Sequence, residues 1–229
     1  MRKPGSNAAN TLRALRSAAI ELIAGHGYEA MNLPMLANRA GVTPALLYRY
    51  FDNKQQLLFS IVEEVTKKLT NGLMAITEQI ADPQEQMRAF IAFYLGYQAS
   101  NRQESFVLWT ETRSLTAQNF RAISHLQRIY TDKVREIVER GVEAGQFAVE
   151  DCKIATYSLL QMLVTVSRWY NPRGRIKPAA LIEIYTNQIF RMLGSCVRSA
   201  TKPCRGASKR SVPLPVYFKG DRQARSSKS

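Results

Sequence analysis

The chain has 229 residues, 45% of them hydrophobic, and 32 lysines and arginines against 18 acids, a net charge of +14. That is enough apolar material for a sizeable core in one or two domains, with a charge that favours polyanionic partners, nucleic acid before anionic membrane. Three cysteines (Cys152, Cys196, Cys204) and two histidines (His26, His125) are too few and too scattered for a metal cluster or a disulfide framework. The longest uncharged run, Ile154 to Ser167, has 14 residues, where a membrane span needs about 20. The opening "MRKPGSNAANTLRALR" lacks the apolar segment of a secretory signal. A reduced, cytoplasmic protein is expected, with no metal, no cofactor and no membrane partner.

Helical periodicity runs through almost the whole chain. Leu12, Leu15, Ala19, Leu22 and Ile23 recur at spacings of three and four, one face of a first helix that "GHG" (Gly25 to Gly27) ends. A second helix is expected from Leu33 to Arg39, with Asn32 as its N-cap and Pro34 tolerated in the first turn. A third runs from Pro44 to Tyr50, with Thr43 as N-cap. A long fourth helix, Lys54 to Ile80, carries the stripe Leu58, Ile61, Val62, Val65, Leu69, Leu73, Ile76 and Ile80. Gly72 interrupts it, a weakening of about 1 kcal/mol relative to alanine. Further helices are expected over Gln84–Ser100, Gln103–Ser114, Ala117–Ala144, Asp151–Tyr170 and Pro178–Arg198, separated by "SNRQ", "SLTA", "EAGQF" and "NPRGR". The class is all-α, about nine helices. Residues 199–229 hold eight bases and one acid among Ser, Gly and Pro, so half of the net charge sits there. Such a segment has too little apolar content to offset ordering entropy, and it reads as a basic, disordered tail.

Between Leu36 and Leu47 lie Ala37, small enough for two helices to touch, and Gly41, suited to the positive φ of a tight turn. Leu36, Ala40, Val42 and Leu47 make an apolar wedge. This is the pattern of a helix-turn-helix, whose second helix enters the DNA major groove.

From Ala18 to Leu58, "AAIELIAGHGYEAMNLPMLANRAGVTPALLYRYFDNKQQLL" resembles the tetracycline-repressor (TetR) family of bacterial transcription regulators, through "GYEA", the "LA..AGV" turn and "LYRYF.NK..L". The resemblance implies an N-terminal three-helix DNA-binding domain (1–53), a C-terminal helical ligand-binding and dimerisation domain (54–198) and the tail (199–229). It implies that Thr43 caps the recognition helix and reaches a phosphate. Pro44, Ala45 and Leu46 then lie at the groove floor, Tyr48 bonds a phosphate, and Arg49 reads a guanine edge or a phosphate. Lys54 binds the backbone beside the amides of the fourth helix's N-terminus. Leu47 and Phe51 belong to the core, and Arg2 and Lys3 form an arm able to touch DNA. The chain departs from the family's common pattern at Pro34, Pro44 and Leu46, which shifts base readout toward thymine methyl contacts and DNA shape.

Two recognition helices roughly 34 Å apart read successive major grooves, so a homodimer on a palindromic double-stranded operator is implied. Its interface is expected to be a four-helix packing of Asp151–Tyr170 and Pro178–Arg198 with their copies. Tyr94, Tyr97, Phe106, Trp109, Phe120, His125, Met162 and Trp169 read either as core or as walls of an effector cavity, in which the polar Glu111, Arg113, His125 and Arg168 are able to orient a ligand. The stretch "RWYNPRGRIKPAALIEIY" is similar to the connector of family members that sense acyl-CoA esters. There Arg168, Arg173, Arg175 and Lys177 read either as a solvated loop or as donors to CoA phosphates. Cys152 and Cys196 fall on faces expected to be buried, where thiols are inert.

No nucleophile elbow, phosphate loop, metal cluster or paired-carboxylate motif is present. The expectation is therefore a non-enzymatic, ligand-responsive repressor of lipid-metabolism type, released from its operator by a small hydrophobic effector such as an acyl-CoA. Two rival readings stay open: a non-specific nucleic-acid binder driven by the tail, and a helical enzyme acting on an acyl-CoA-like ligand.

Overall fold

The computed structural model describes residues 4–195, and every regular element among them is helical. In chain order these are α1 (Pro4–His26), α2 (Leu33–Ala40), α3 (Pro44–Tyr48), α4 (Lys54–Gln79), α5 (Pro83–Ser100), α6 (Arg102–Glu111), a 3-10 turn (Thr112–Ser114), α7 (Ala117–Glu143), α8 (Cys152–Val164), α9 (Val166–Trp169) and α10 (Pro178–Met192). The expectations for Arg2, Lys3, Cys196, Cys204, Arg198 and the tail 199–229 lie outside the described residues.

The helices begin where short polar side chains can accept from exposed amides. Asn32 Oδ1 takes the Met35 N–H at 2.9 Å, Thr43 Oγ1 the Leu46 N–H at 3.2 Å, Asn53 Oδ1 the Gln56 N–H at 2.9 Å, and Asp82 and Asp151 do the same for α5 and α8. Proline follows the cap in α2, α3 and α5, where its missing N–H is harmless. The all-helical class stands, but the helix expected over Pro44–Tyr50 ends at Tyr48, that over Gln103–Ser114 ends at Glu111 with a 3-10 turn after it, and two more come out differently. Asp151–Tyr170 is broken into α8 and α9 at Thr165, whose hydroxyl is within reach of both the Gln161 carbonyl at 3.1 Å and the Met162 carbonyl at 3.3 Å. The last helix stops at Met192, short of Arg198. Gly194 takes φ 69°, and the Gly194 and Ser195 amides close back on Arg191 and Phe190.

Two apolar cores form. One joins α1, α2 and α3 through Leu15, Ala19, Ile23, Leu36, Leu47 and Phe51. It does not close at residue 53, since it also takes Leu57, Leu58, Ile61 and Val62 of α4, Val107 of α6 and Ile123 of α7. The other packs α5, α7, α8 and α10 around Phe90, Ile91, Val134, Val138, Leu159, Leu163, Ile189 and Phe190. The long α4 runs through both, its buried stripe extending from Leu57 to Leu73.

Gly72, expected only to weaken α4, has a packing reason. A Cβ at that position would stand 2.1 Å from the tip of the Phe93 ring on α5. Gly72→Ala is therefore expected to lower stability by about 1–2 kcal/mol, because overpacking outweighs the gain in helix propensity. A urea midpoint at or above that of the unaltered chain would contradict the close α4–α5 approach.

Candidate nucleic-acid interface and cavity

At the α2–α3 corner, Gly41 has φ 66°, its N–H bonds the Asn38 carbonyl at 3.1 Å, and the Val42 N–H reaches the Ala37 carbonyl at 3.0 Å. This doubly bonded stop needs the left-handed region that glycine enters without strain. It turns the chain so that α3 crosses α2 with Leu47 fully buried and Phe51 just beyond it at 3% exposure. The other side of α3 is open. Thr43, Pro44, Ala45, Tyr48 and Arg49 are exposed, Tyr48 by 53%, and Leu46 is half-buried. Six of the seven DNA-contact candidates thus share one corner, presented outward.

Lys54 is placed differently from its expected role. Its Nζ donates to the Glu29 carbonyl at 3.0 Å, lies 3.8 Å from the Glu29 carboxylate and sits 4.1 Å over the Tyr28 ring. The ammonium therefore fastens the "GYEA" turn to the start of α4. Tyr28 is buried, and burial first and the Glu29 carboxylate second push its hydroxyl up to about 12. Beside it Gln55, which the sequence reading passed over, bridges this end of α4 to the turn before α7. It donates to the Ser114 carbonyl at 2.7 Å and accepts from the Thr116 N–H at 3.0 Å.

Within the helical body, a cavity of about 210 Å³ opens between α4, α5, α6, α7 and α8. Tyr94, Tyr97 and Trp109 line it as candidates from the sequence, together with Thr66, Leu69, Gln98, Ser105, Leu108, Gln127, Tyr130, Tyr157 and Leu160, which were not singled out. Arg113, His125, Met162, Arg168 and Trp169 are not in the wall. Arg113 and His125 are exposed on the turn before α7 and on α7, Met162 packs into the core, Arg168 is exposed, and Trp169 stacks on Tyr185 at 6.5 Å. Phe106, Glu111 and Phe120 are also outside it. The missed signal was a polar residue inside an apolar stripe: Gln98 stands four residues after Tyr94 on the buried face of α5.

Burial raises the Tyr94 and Tyr130 hydroxyls well above their ordinary value. Burial, then the hydrogen bond to Glu104, does the same for Tyr97. All three stay protonated at neutral pH. Tyr97 donates to Glu104 at 2.6 Å, Lys68 lies 3.5 Å from the same carboxylate and 3.1 Å from Glu64, and Glu64 pairs with Arg16 of α1. One polar chain therefore runs from the cavity wall to the first helix of the DNA-reading head. Cys152, expected on a buried face, is half-buried, and burial raises its thiol.

A glycine-set helix-turn-helix on an all-helical body with an internal cavity defines a ligand-regulated helix-turn-helix class. The family described as bacterial regulatory proteins, tetR family, matches residues 15–61, and the one described as tetracyclin repressor-like, C-terminal domain, matches residues 81–193. The chain belongs to the tetracycline-repressor family. The HTH-type transcriptional regulator BetI of Rhizobium meliloti (strain 1021) is 30% identical over 133 residues, 58% of this chain and 64% of that protein. The chain thus spans less than two thirds of the length of this curated relative. A tetR-family regulatory protein from Rhodococcus RHA1 superposes with a TM-score of 0.76 at 27% identity, covering 82% of this chain and 98% of that one. AibR in complex with isovaleryl coenzyme A and operator DNA superposes with a TM-score of 0.71 at 25% identity, covering 80% and 97%. These matches are to regulators and not to enzymes. Among the described residues, no helix is long and apolar enough to cross a membrane.

Proposed function

We propose that the chain is a homodimeric repressor that binds a palindromic operator through α3 and is released when a small hydrophobic effector enters the cavity. The observation that carries this reading is the outward presentation of Tyr48 and Arg49 beside a helix stop held by Gly41. In this reading residues 1–53 act as the DNA-binding head and 54–198 as the regulatory body, with α4 shared by both cores. Thr43 and Tyr48 hold phosphates, Arg49 a phosphate or a guanine edge, and Pro44, Ala45 and Leu46 face thymine methyls. Lys54 contributes by fixing the start of α4 more than by reaching the backbone itself. A protein with this task works in the cytoplasm, where the operator is.

The dimer is supported by an apolar surface on α8, α9 and α10. Ile154, Tyr157, Trp169 and Ile184 are 66%, 51%, 53% and 42% exposed, apolar area that a second copy would cover. The effector is proposed to be a short acyl-CoA. A cavity of 150 Å³ holds benzene, so one of about 210 Å³ has room for about eight heavy atoms. That suits a short acyl group such as the isovaleryl group carried by AibR's ligand, with the nucleotide left outside. Ser167 lines the cavity, and Arg168, Arg173, Arg175 and Lys177 follow it in exposed positions, suited to CoA phosphates.

Selection from a random DNA pool is expected to yield an inverted repeat bound by a species of twice the chain mass in sedimentation. Adding a short acyl-CoA is expected to weaken that complex about 5- to 150-fold. Recovery of no common sequence would overturn the repressor reading.

A further inference from the structure

Two buried oxygens in the cavity wall have no protein partner, Gln98 Oε1 and the Tyr130 hydroxyl. Gln98 is only 4% exposed, and its Nε2 donates to the Leu163 carbonyl at 2.8 Å. That bond fixes which way the amide is turned, so Oε1 is left as an obligatory acceptor. The two orphan oxygens do not satisfy each other. Of the wall's other hydroxyls, Tyr97 bonds Glu104, Thr66 the Val62 carbonyl, Thr131 that of Gln127 and Ser167 that of Val164, and none in the wall donates to Gln98 Oε1. Native structures leave few buried polar atoms without partners, and those they leave mark sites for water or ligand.

The wall contains no Asp, Glu, Lys, Arg or His. A charged group inside would lose its hydration with no counter-charge to replace it, so the buried part of the ligand is uncharged. A saturated acyl chain offers a carbonyl to accept from Tyr130 and nothing to donate to Gln98. We infer that the cavity selects a short, uncharged acyl group bearing its own hydroxyl, which donates to Gln98 Oε1 while the ligand's carbonyl accepts from Tyr130. A hydroxyl is the smallest donor, and a space for about eight heavy atoms leaves room for little more. This inference rests on the acyl reading of the cavity given above, and it names the member of that class the wall prefers.

Calorimetric titration of the full chain with butyryl-CoA and with both enantiomers of 3-hydroxybutyryl-CoA tests it, since these ligands differ by one oxygen. One hydroxylated enantiomer is expected to bind at least about tenfold tighter than the saturated ester. Gln98→Met, which keeps length and removes the acceptor, is expected to erase that difference. If the saturated ester binds the unaltered chain as tightly as either hydroxylated one, ordered water satisfies Gln98 and the inference falls, with the acyl reading left standing. If none of them binds, both fall.

Discussion

Exchanging Leu47 for alanine is expected to destabilise the chain by about 2–5 kcal/mol and to abolish operator binding. Tyr48→Ala, one residue along, is expected to move stability by no more than about 0.5 kcal/mol while weakening operator binding about tenfold or more, one lost phosphate bond in each half-site of a dimer. The contrast comes from helix geometry. Leu47 is fully buried between α1, α2 and α4, and no water can replace the contacts its side chain makes there. A cavity at that point loosens α3 from the wedge that aims it. Tyr48 projects from the opposite side with 53% of its surface in solvent, so its removal leaves the packing untouched. Urea denaturation and gel-shift titration of the two variants separate folding from contact. A Tyr48→Ala protein that melts like Leu47→Ala, or binds DNA like the unaltered chain, would mean that this face of α3 does not meet the operator.

Much of the head was legible in the sequence because its signals are local. Asn32 and Thr43 accept the amides three residues on, Gly41 takes positive φ, and Leu47 and Phe51 face inward, as spacing and cap chemistry require. Lys54 escaped because its partners, Tyr28 and Glu29, lie 25 or 26 positions earlier and no short-range pattern links them. The cavity was half legible for the same reason. Tyr94, Tyr97 and Trp109 were recoverable as aromatics on helices that pack, but His125 and Arg113 belong to faces whose orientation depends on how α7 leaves the 3-10 turn. Gln98 and Tyr130 became visible as a pair only once α5 and α7 were set side by side, with the Tyr94 and Tyr130 rings 6.4 Å apart. Gly72 shows the same limit from the other direction. Read along the helix it is a defect, and read across to Phe93 it is a requirement.

Replacing Glu104 is expected to disconnect the cavity from the head. Glu104 takes the Tyr97 hydroxyl on one side and faces Lys68 on the other, and Lys68 hands the connection through Glu64 to Arg16 on α1. An effector that displaces Tyr97 therefore pulls on a carboxylate whose charge is shared with the DNA-reading end. Glu104→Leu removes both links and leaves the half-buried Tyr97 hydroxyl without its acceptor, a loss of about 1–3 kcal/mol of stability. Glu104→Gln keeps an acceptor for Tyr97 and removes only the charge that Lys68 faces. These ion pairs are a quarter to nearly half exposed, where such pairs contribute about 0–1 kcal/mol, so Glu104→Gln is expected to stay within about 1 kcal/mol of the unaltered chain. Both variants are expected to hold the operator normally without effector. In Glu104→Leu, effector addition is expected to leave operator affinity nearly unchanged, in place of the roughly 5- to 150-fold loss of a coupled regulator. In Glu104→Gln the response is expected to fall part of the way, in proportion to the share carried by charge as distinct from the Tyr97 hydrogen bond. Operator titrations with and without a short acyl-CoA, run on both variants, read that share directly. A Glu104→Leu protein that still releases DNA at the normal effector concentration would show that the signal travels instead through the apolar stripe of α4, from Leu73 to Leu57.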